Sequence, residues 1–413
     1  MPTERPALPS AALLPSRPRL LPLFALLACS VAQAQEDGSS PWYLGASAAL
    51  THVSNIYRLP SASQPVDLPN SDDVATLSLL AGLDKPLGRQ RLFGDLAVRH
   101  NRYRRDSRLD NTGYSLAGGM DWAMLDKWSG NLTLRSNRNL AQYNPSTDVA
   151  QITEKNIEQS DQAQFLARYG LAGALSLEGG AGYQRRDYSA EAYRLLNFNQ
   201  HSLFAGIGWR ASGALRLNLT GRETRGSGYA RLLVFIVPYD YRRKDLEASA
   251  NWQPSEASTL DARISYSRIA NDNSNLDNYS GLTGRLGWQW KPTAKLQLNA
   301  SLAHDTVQEN YLFTGQNGNS EANRVTDTLQ LGGTYALTSK LMLDATARAA
   351  RLGRSGLATG DDREQSLAIG LRWLPTRHSQ LGCQATRDKR TSDIATLNYS
   401  ASSYGCYGQL MLR

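Results

Sequence analysis

Arginines and carboxylates at every second position are the residues of this sequence best suited to chemistry. Apolar residues take the alternate positions, so one face of each segment carries the charges. A guanidinium binds carboxylates and sugar hydroxyls through several N–H donors, which predicts a binding surface. Cross-strand ion pairs with nearby carboxylates are the alternative role, and both roles can coexist. The candidate binding residues are Arg99, Arg135, Arg216, Arg222, Arg285 and Arg348.

Tyrosines beside arginines form a second set of candidates. Tyr103 and Tyr188 each follow a run containing two or more arginines, and Tyr239–Lys244 repeats the pattern. Tyrosine rings stack on sugars while guanidinium groups bind carboxylates, so these segments suit a glycan-binding mouth. The alternative is an outer aromatic girdle with arginines bound to lipopolysaccharide phosphates.

Catalytic and metal-binding patterns are not found in the sequence. The five histidines have no metal-ligand spacing, and neither HExxH nor G-x-S-x-G occurs. We therefore expect no enzyme, no cofactor and no metal, with His52 and His100 as solvated rim residues. The formal net charge of +8 includes no basic run long enough to predict a nucleic-acid partner.

The alternating segments predict β-strands, and the tryptophans predict a membrane. All eight tryptophans lie where an alternating segment meets a short connector, which is typical of an interfacial aromatic girdle. Short turns alternate with long polar loops, as in an all-β, antiparallel, up-and-down transmembrane barrel in the bacterial outer membrane. Spacing between the rim residues predicts about eighteen strands, or about sixteen if one hairpin is lost, with both termini periplasmic.

The first residues have the pattern of an export signal. Arg17 and Arg19 precede an apolar run that ends before a small-x-small site, so residues 1–34 are predicted to be a signal peptide. Lipidation at Cys29 is a weaker alternative. Residues 35–413 then form a single barrel domain.

Two further features leave alternatives open. Cys383 and Cys406 fall on consecutive predicted strands, where they either form a disulfide or remain as two free lipid-facing thiols. The apolar run 232–237, which contains Leu233 and Phe235, lies outside the predicted membrane band. It either folds over the mouth as a constriction loop or extends a strand.

Several segments resemble a known family, the EpsL-type outer-membrane proteins of exopolysaccharide operons, a group of β-barrel porins. The matching segments are Ser54–Arg58, Leu83–Arg91, Tyr114–Trp122 and Trp128–Thr133. The resemblance implies a conduit for a secreted polysaccharide that works with periplasmic and inner-membrane assembly proteins, surrounded by outer-membrane lipid and lipopolysaccharide. A general diffusion porin for small solutes is the main alternative, and an outer-membrane enzyme is a weaker one.

Overall fold

The computed structural model describes residues 40–61, 67–125, 127–144, 151–170, 174–232, 235–272, 278–306, 325–354 and 360–412. The predicted signal peptide, residues 1–34, lies outside these residues. No helix within the described ranges is long and apolar enough to cross a membrane.

The described chain forms eighteen antiparallel strands, which confirms the predicted number and excludes sixteen. Three short 3-10 helices, Ser107–Leu109, Glu191–Leu196 and Ala395–Leu397, lie in the long connections. The strands are β1 (Trp42–Val53), β2 (Asp72–Leu87), β3 (Gln90–Tyr103), β4 (Asn111–Met124), β5 (Trp128–Leu140), β6 (Ile157–Tyr169), β7 (Leu175–Tyr188), β8 (Phe198–Arg210), β9 (Leu215–Leu232), β10 (Phe235–Ser255), β11 (Ser258–Asn271), β12 (Tyr279–Thr293), β13 (Leu296–Thr306), β14 (Val325–Ala336), β15 (Leu341–Arg354), β16 (Gly360–Trp373), β17 (Ser379–Ser392) and β18 (Tyr399–Leu412).

The sheet closes on itself because β1 pairs with both β2 and β18. Each strand otherwise pairs with its neighbours in the sequence, so the topology is up and down. The short turns gather at one end, which we call the turn end, and the long loops gather at the other, the loop end. At the turn end, Gly88 adopts φ +65° in the two-residue connection between β2 and β3, a conformation that glycine accepts without strain.

Large apolar side chains cover the outside of the barrel. Leu50, Leu79 and Leu203 are each more than 60% exposed, whereas the residues before and after each of them on its strand point to the other face and are less exposed. Such exposure would be costly in water and is favourable in lipid, so this outer face is a membrane belt. All eight tryptophans lie at or near strand ends on the turn-end side, as predicted. The prediction that this end faces the periplasm stays a prediction.

A disulfide joins Cys383 and Cys406 directly across β17 and β18. Both residues share the outward face with Leu381, Tyr404 and Leu410, so the disulfide lies within the membrane belt. Because β18 also pairs with β1, the bond reinforces the hairpin that closes the barrel.

Replacing both cysteines by serine should lower the free energy of unfolding by roughly 3 kcal/mol, the value for a loop of this length. The sequence separation of 23 residues sets that estimate. Urea unfolding in detergent micelles measures the difference, and reductant should shift the wild type alone. Equal unfolding midpoints for the oxidised wild type and the double variant would contradict a stabilising role.

Candidate functional site

The six arginines predicted to bind ligand all lie on the inner face of the barrel. Alternation places each one opposite the exposed apolar residues of its own strand. Arg99 is only 3% exposed and donates to Ser115 on β4 at 3.3 Å. Arg222 lies over the Phe204 ring, 5.0 Å from its centroid, and Arg285 is in register with Arg263. The wall of the lumen is thus rich in guanidinium hydrogen-bond donors.

Ion pairs along the inner wall connect strands that are adjacent or separated by one strand, except for the pair Arg243 with Asp245, which lies within β10. Glu178 on β7 accepts from Arg168 on β6 at 2.8 Å and also pairs with Arg216 on β9. Arg263 on β11 pairs with Asp305 at 2.7 Å. The remaining inner pairs include Arg186 with Glu158, Arg243 with Asp245, Arg348 with Glu364, and Arg372 with Asp344. The predicted cross-strand ion pairs are therefore present, whereas ligand binding by these arginines stays a prediction.

The sequence pattern did not assign four of the inward carboxylates to the inner face. Asp305, Asp362, Glu364 and Asp388 all pair with arginines of the inner face or the loops above it. They lie near the loop ends of their strands, where apolar alternation has faded and the facing of a residue is hard to read. The lumen consequently carries more paired charge than the sequence indicated.

Loops fold inward at the loop end and form a structure that we call the mouth cap. It consists of the described residues 54–61, 67–71, 104–110, 141–144, 151–156 and 189–197, from the loops that follow β1, β3, β5 and β7. Its apolar interior includes Ile56, Leu59 and Leu109, each less than 10% exposed. Ile152 packs on this cluster and on a second one around Tyr193, so the loops share one continuous core.

Tyr57 and Asp106 form the polar centre of the cap. The Tyr57 hydroxyl donates a short hydrogen bond to Asp106, and Arg108 donates to the same carboxylate at 2.6 and 2.7 Å. The Arg108 guanidinium lowers the pKa of Asp106; burial opposes this shift and the Tyr57 hydroxyl reinforces it. Burial, aided by Asp106, raises the pKa of Tyr57. Asp106 is therefore an ionised acceptor at neutral pH.

Asn144 connects four segments of the chain and has a positive φ of 50°. Its backbone N–H donates to the Tyr193 hydroxyl at 3.0 Å, and its side-chain amide donates to the Arg58 carbonyl at 2.9 Å. Its own carbonyl accepts from Arg390 on β17 at 3.1 Å. Asn144 thus links the loops after β1 and β5, the 3-10 helix 191–196 and the barrel wall.

The wall side of this connection is a buried ion pair. Arg390 and Asp362 lie 3.1 Å apart, with side chains 1% and 0% exposed. A second link joins Arg58 of the cap to Asp388 on β17 at 3.1 Å, with the Arg58 guanidinium 5.4 Å from the Tyr399 ring centroid. The cap therefore links the loops of β1–β8 to β17, which is separated from β1 only by β18.

The predicted tyrosines lie in or against the cap. Tyr103 is 6% exposed within the first apolar cluster, and the Tyr188 ring packs 5.6 Å from Tyr193. Their binding of glycans stays a prediction. Sequence patterns did not reveal the cap because its few apolar residues are spread over four loops without a periodic pattern. Asn144 gave no signal of its own.

The apolar run at 232–237 extends a hairpin. β9 and β10 stay paired as far as Leu232 and Phe235, beyond the last pairs that either strand makes with β8 and β11. Leu233 lies outside the described residues, so the constriction at Leu233 and Phe235 stays a prediction. Within the described ranges, no group of His, Cys, Asp and Glu side chains could hold a metal ion.

Comparison with known proteins shows a family match and several structural likenesses. Residues 245–406, from β10 to β18, match the family described as "Putative beta-barrel porin 2". OccK2 (OpdF) from Pseudomonas aeruginosa is 12% identical over 90% of this chain and 97% of that chain, with a TM-score of 0.48. OpdQ from the same organism is 11% identical over 91% and 99%, with a TM-score of 0.47. No curated protein sequence matches the chain.

The structural likenesses do not indicate what the barrel transports. The porin match, together with the closed barrel and its apolar belt, places the protein in the bacterial outer membrane. The fold and the family match are those of a porin-like channel.

Replacing Arg390 by Gln should detach the cap from the wall, because the buried Asp362 carboxylate would lose the guanidinium that pairs with it and the Asn144 carbonyl would lose its donor. The loss is expected to be on the order of 3–5 kcal/mol, enough to favour an open mouth. Single-channel recordings in planar bilayers should show long open periods in the variant and rare openings in the wild type. Arg351→Gln, which removes an exposed ion pair with Asp361, is the matched control. Identical open times for the wild type and Arg390→Gln would contradict the expectation that this ion pair holds the cap against the wall.

Acid should loosen the cap through Asp106. Its folded pKa is lowered, so its contribution is complete above about pH 4, the unfolded value, and is lost as the pH falls through the folded pKa. Limited proteolysis of the loops in detergent should therefore accelerate at low pH. Asp106→Asn should be cleaved faster than the wild type at neutral pH and should lack that acid step. If the variant showed the same acceleration of proteolysis at low pH, the acceleration would come from a group other than Asp106.

Proposed function

We propose that this barrel is a gated outer-membrane conduit for a secreted polysaccharide. The observation that carries the proposal is the location of Ser54–Arg58, one of the segments that resemble the exopolysaccharide-operon proteins. Tyr57 lies in the core of the mouth cap, Asn55 holds the loop through Leu59, and Arg58 binds the wall at Asp388. The resemblance therefore concerns the part that controls access to the lumen.

The chemistry of the lumen supports a hydrophilic polymer as cargo. A moving chain needs many weak and similar contacts, since one tight site would hold it in place. The ion pairs of β6–β16 provide such contacts, because each guanidinium and carboxylate can exchange one hydrogen bond for a sugar hydroxyl. An excess of arginine would favour an acidic polymer.

The alternatives have less support. A general diffusion porin would have an open mouth with segregated charges, whereas the described cap has an apolar core and paired charges. An enzyme would need a histidine next to a nucleophile. In the described residues, His52 and His304 hydrogen-bond Asp73 and Asp327, and His100 hydrogen-bonds the Thr112 hydroxyl on the exposed outer face of the barrel, outside the lumen.

A conduit of this kind needs partners that deliver the polymer and open the cap. We propose that periplasmic and inner-membrane assembly proteins push the chain through the barrel, as the resemblance to the exopolysaccharide-operon proteins implies. The polymer itself would displace the cap from inside the barrel.

Deleting the gene in a polymer-producing strain should abolish the secreted polysaccharide and leave growth on small solutes unchanged. Complementation with the wild type should restore secretion, and Arg390→Gln should restore it while admitting bulky antibiotics. Arg351→Gln again serves as the control. Normal polymer from the deletion strain would refute the export role, and impaired small-solute uptake with normal polymer would favour the diffusion porin.

A further inference from the structure

Four basic side chains cluster on the outer surface of the barrel, just beyond the membrane belt at the loop end. They are Arg225 on β9, Arg242 and Lys244 on β10, and Arg268 on β11, and all four are exposed. Each lies on the lipid-facing side of its strand, on the face that carries Leu219, Leu246 and Ile264. These residues are called the basic patch below.

Strand register brings the patch together in two adjacent rows. Arg225 is directly opposite Arg242, and Lys244 is directly opposite both Glu223 and Arg268. Directly opposed side chains on neighbouring strands lie roughly 5 Å apart at Cβ, and successive outward residues roughly 7 Å apart. The four cations thus share a surface small enough to contact one ligand.

Glu223 is the carboxylate inside the patch, and it orients the two arginines. It accepts from Arg225 at 2.9 Å and from Arg242 at 2.5 Å. Both arginine side chains remain about half exposed or more, at 63% and 49%. The next carboxylates, Asp240 and Asp272, lie farther from the membrane belt. The patch therefore keeps an excess of positive charge at the edge of the lipid.

Apolar side chains continue directly from the patch toward the turn end. Leu246 and Tyr266 are in register with each other, one outward position below Lys244 and Arg268, and are 58% and 53% exposed. Gly221 lies beside Leu246 and leaves open space, since a Cβ there would meet no atom within 4 Å. A cationic row above an apolar recess matches an anionic headgroup above acyl chains.

We propose that the basic patch binds the phosphorylated sugar of lipid A, with acyl chains lying against Leu246, Tyr266 and the recess at Gly221. Lipid A suits the two rows because it presents phosphate dianions on a rigid disaccharide, whereas a phospholipid offers one phosphodiester charge. The loop end would then face the outer leaflet, in agreement with the predicted orientation. The site is on the outside of the barrel and is independent of what the lumen transports.

The test compares wild-type barrel with the double variant Lys244→Gln/Arg268→Gln, which leaves the Glu223 ion pairs intact. Arg351→Gln is the matched control, because Arg351 is exposed on the outer face of β15, away from the patch, and has its own carboxylate, Asp361. Lipid A added to detergent-solubilised protein should raise the thermal unfolding midpoint of the wild type and the control. The double variant should bind roughly three- to tenfold more weakly, as expected for two surface cations.

Two further arms identify the ligand. Dephosphorylated lipid A and phosphatidylglycerol should stabilise the wild type much less than lipid A, and high salt should weaken the lipid A effect. An equal response to dephosphorylated lipid A would overturn the role of the phosphates. An equal response to phosphatidylglycerol would leave only a general attraction to anionic lipid, and an unchanged double variant would locate lipid A elsewhere.

Discussion

Backbone hydrogen bonding in a medium without water is the constraint on which this structure depends. Every N–H and C=O group inside the hydrocarbon must find a partner within the protein, and a sheet satisfies this requirement only when it closes. The pairing of β1 with both β2 and β18 completes that closure. Once the sheet is closed, alternation leaves each residue only two directions, toward lipid or toward the lumen. The chemistry of the lumen follows from that division.

The same constraint separates two kinds of packing in one molecule. Inside the membrane belt, the apolar side chains of the strands face lipid. The inner face of the same strands is therefore polar, and ion pairs such as Arg168 with Glu178 connect its strands. At the loop end the chain leaves the hydrocarbon and can form an ordinary apolar core. Ile56, Leu109 and Tyr193 build it from loops distant in sequence. The mouth cap therefore packs like a soluble protein.

The sequence predicted the barrel well because its signals are local and repeated. Every strand repeats the same alternation, and tryptophans mark the turn end, so the errors of single segments do not accumulate. The mouth cap lacked such a signal. Tyr57, Leu109 and Ile152 come from three different loops without a periodic pattern, and only the closed wall brings them together. The Arg390 and Asp362 pair was hidden for a similar reason, since β16 and β17 carry several polar residues on both faces near their loop ends.

Asn144 has a consequence for how the mouth can open. One residue with 2% exposure satisfies hydrogen bonds from the cap loops, the 3-10 helix and the wall. Releasing any one of those partners leaves the others poorly placed, so partly detached arrangements are higher in energy than either extreme. For the gate proposed above, this shared residue means that the cap would open as one unit, like a valve with two positions.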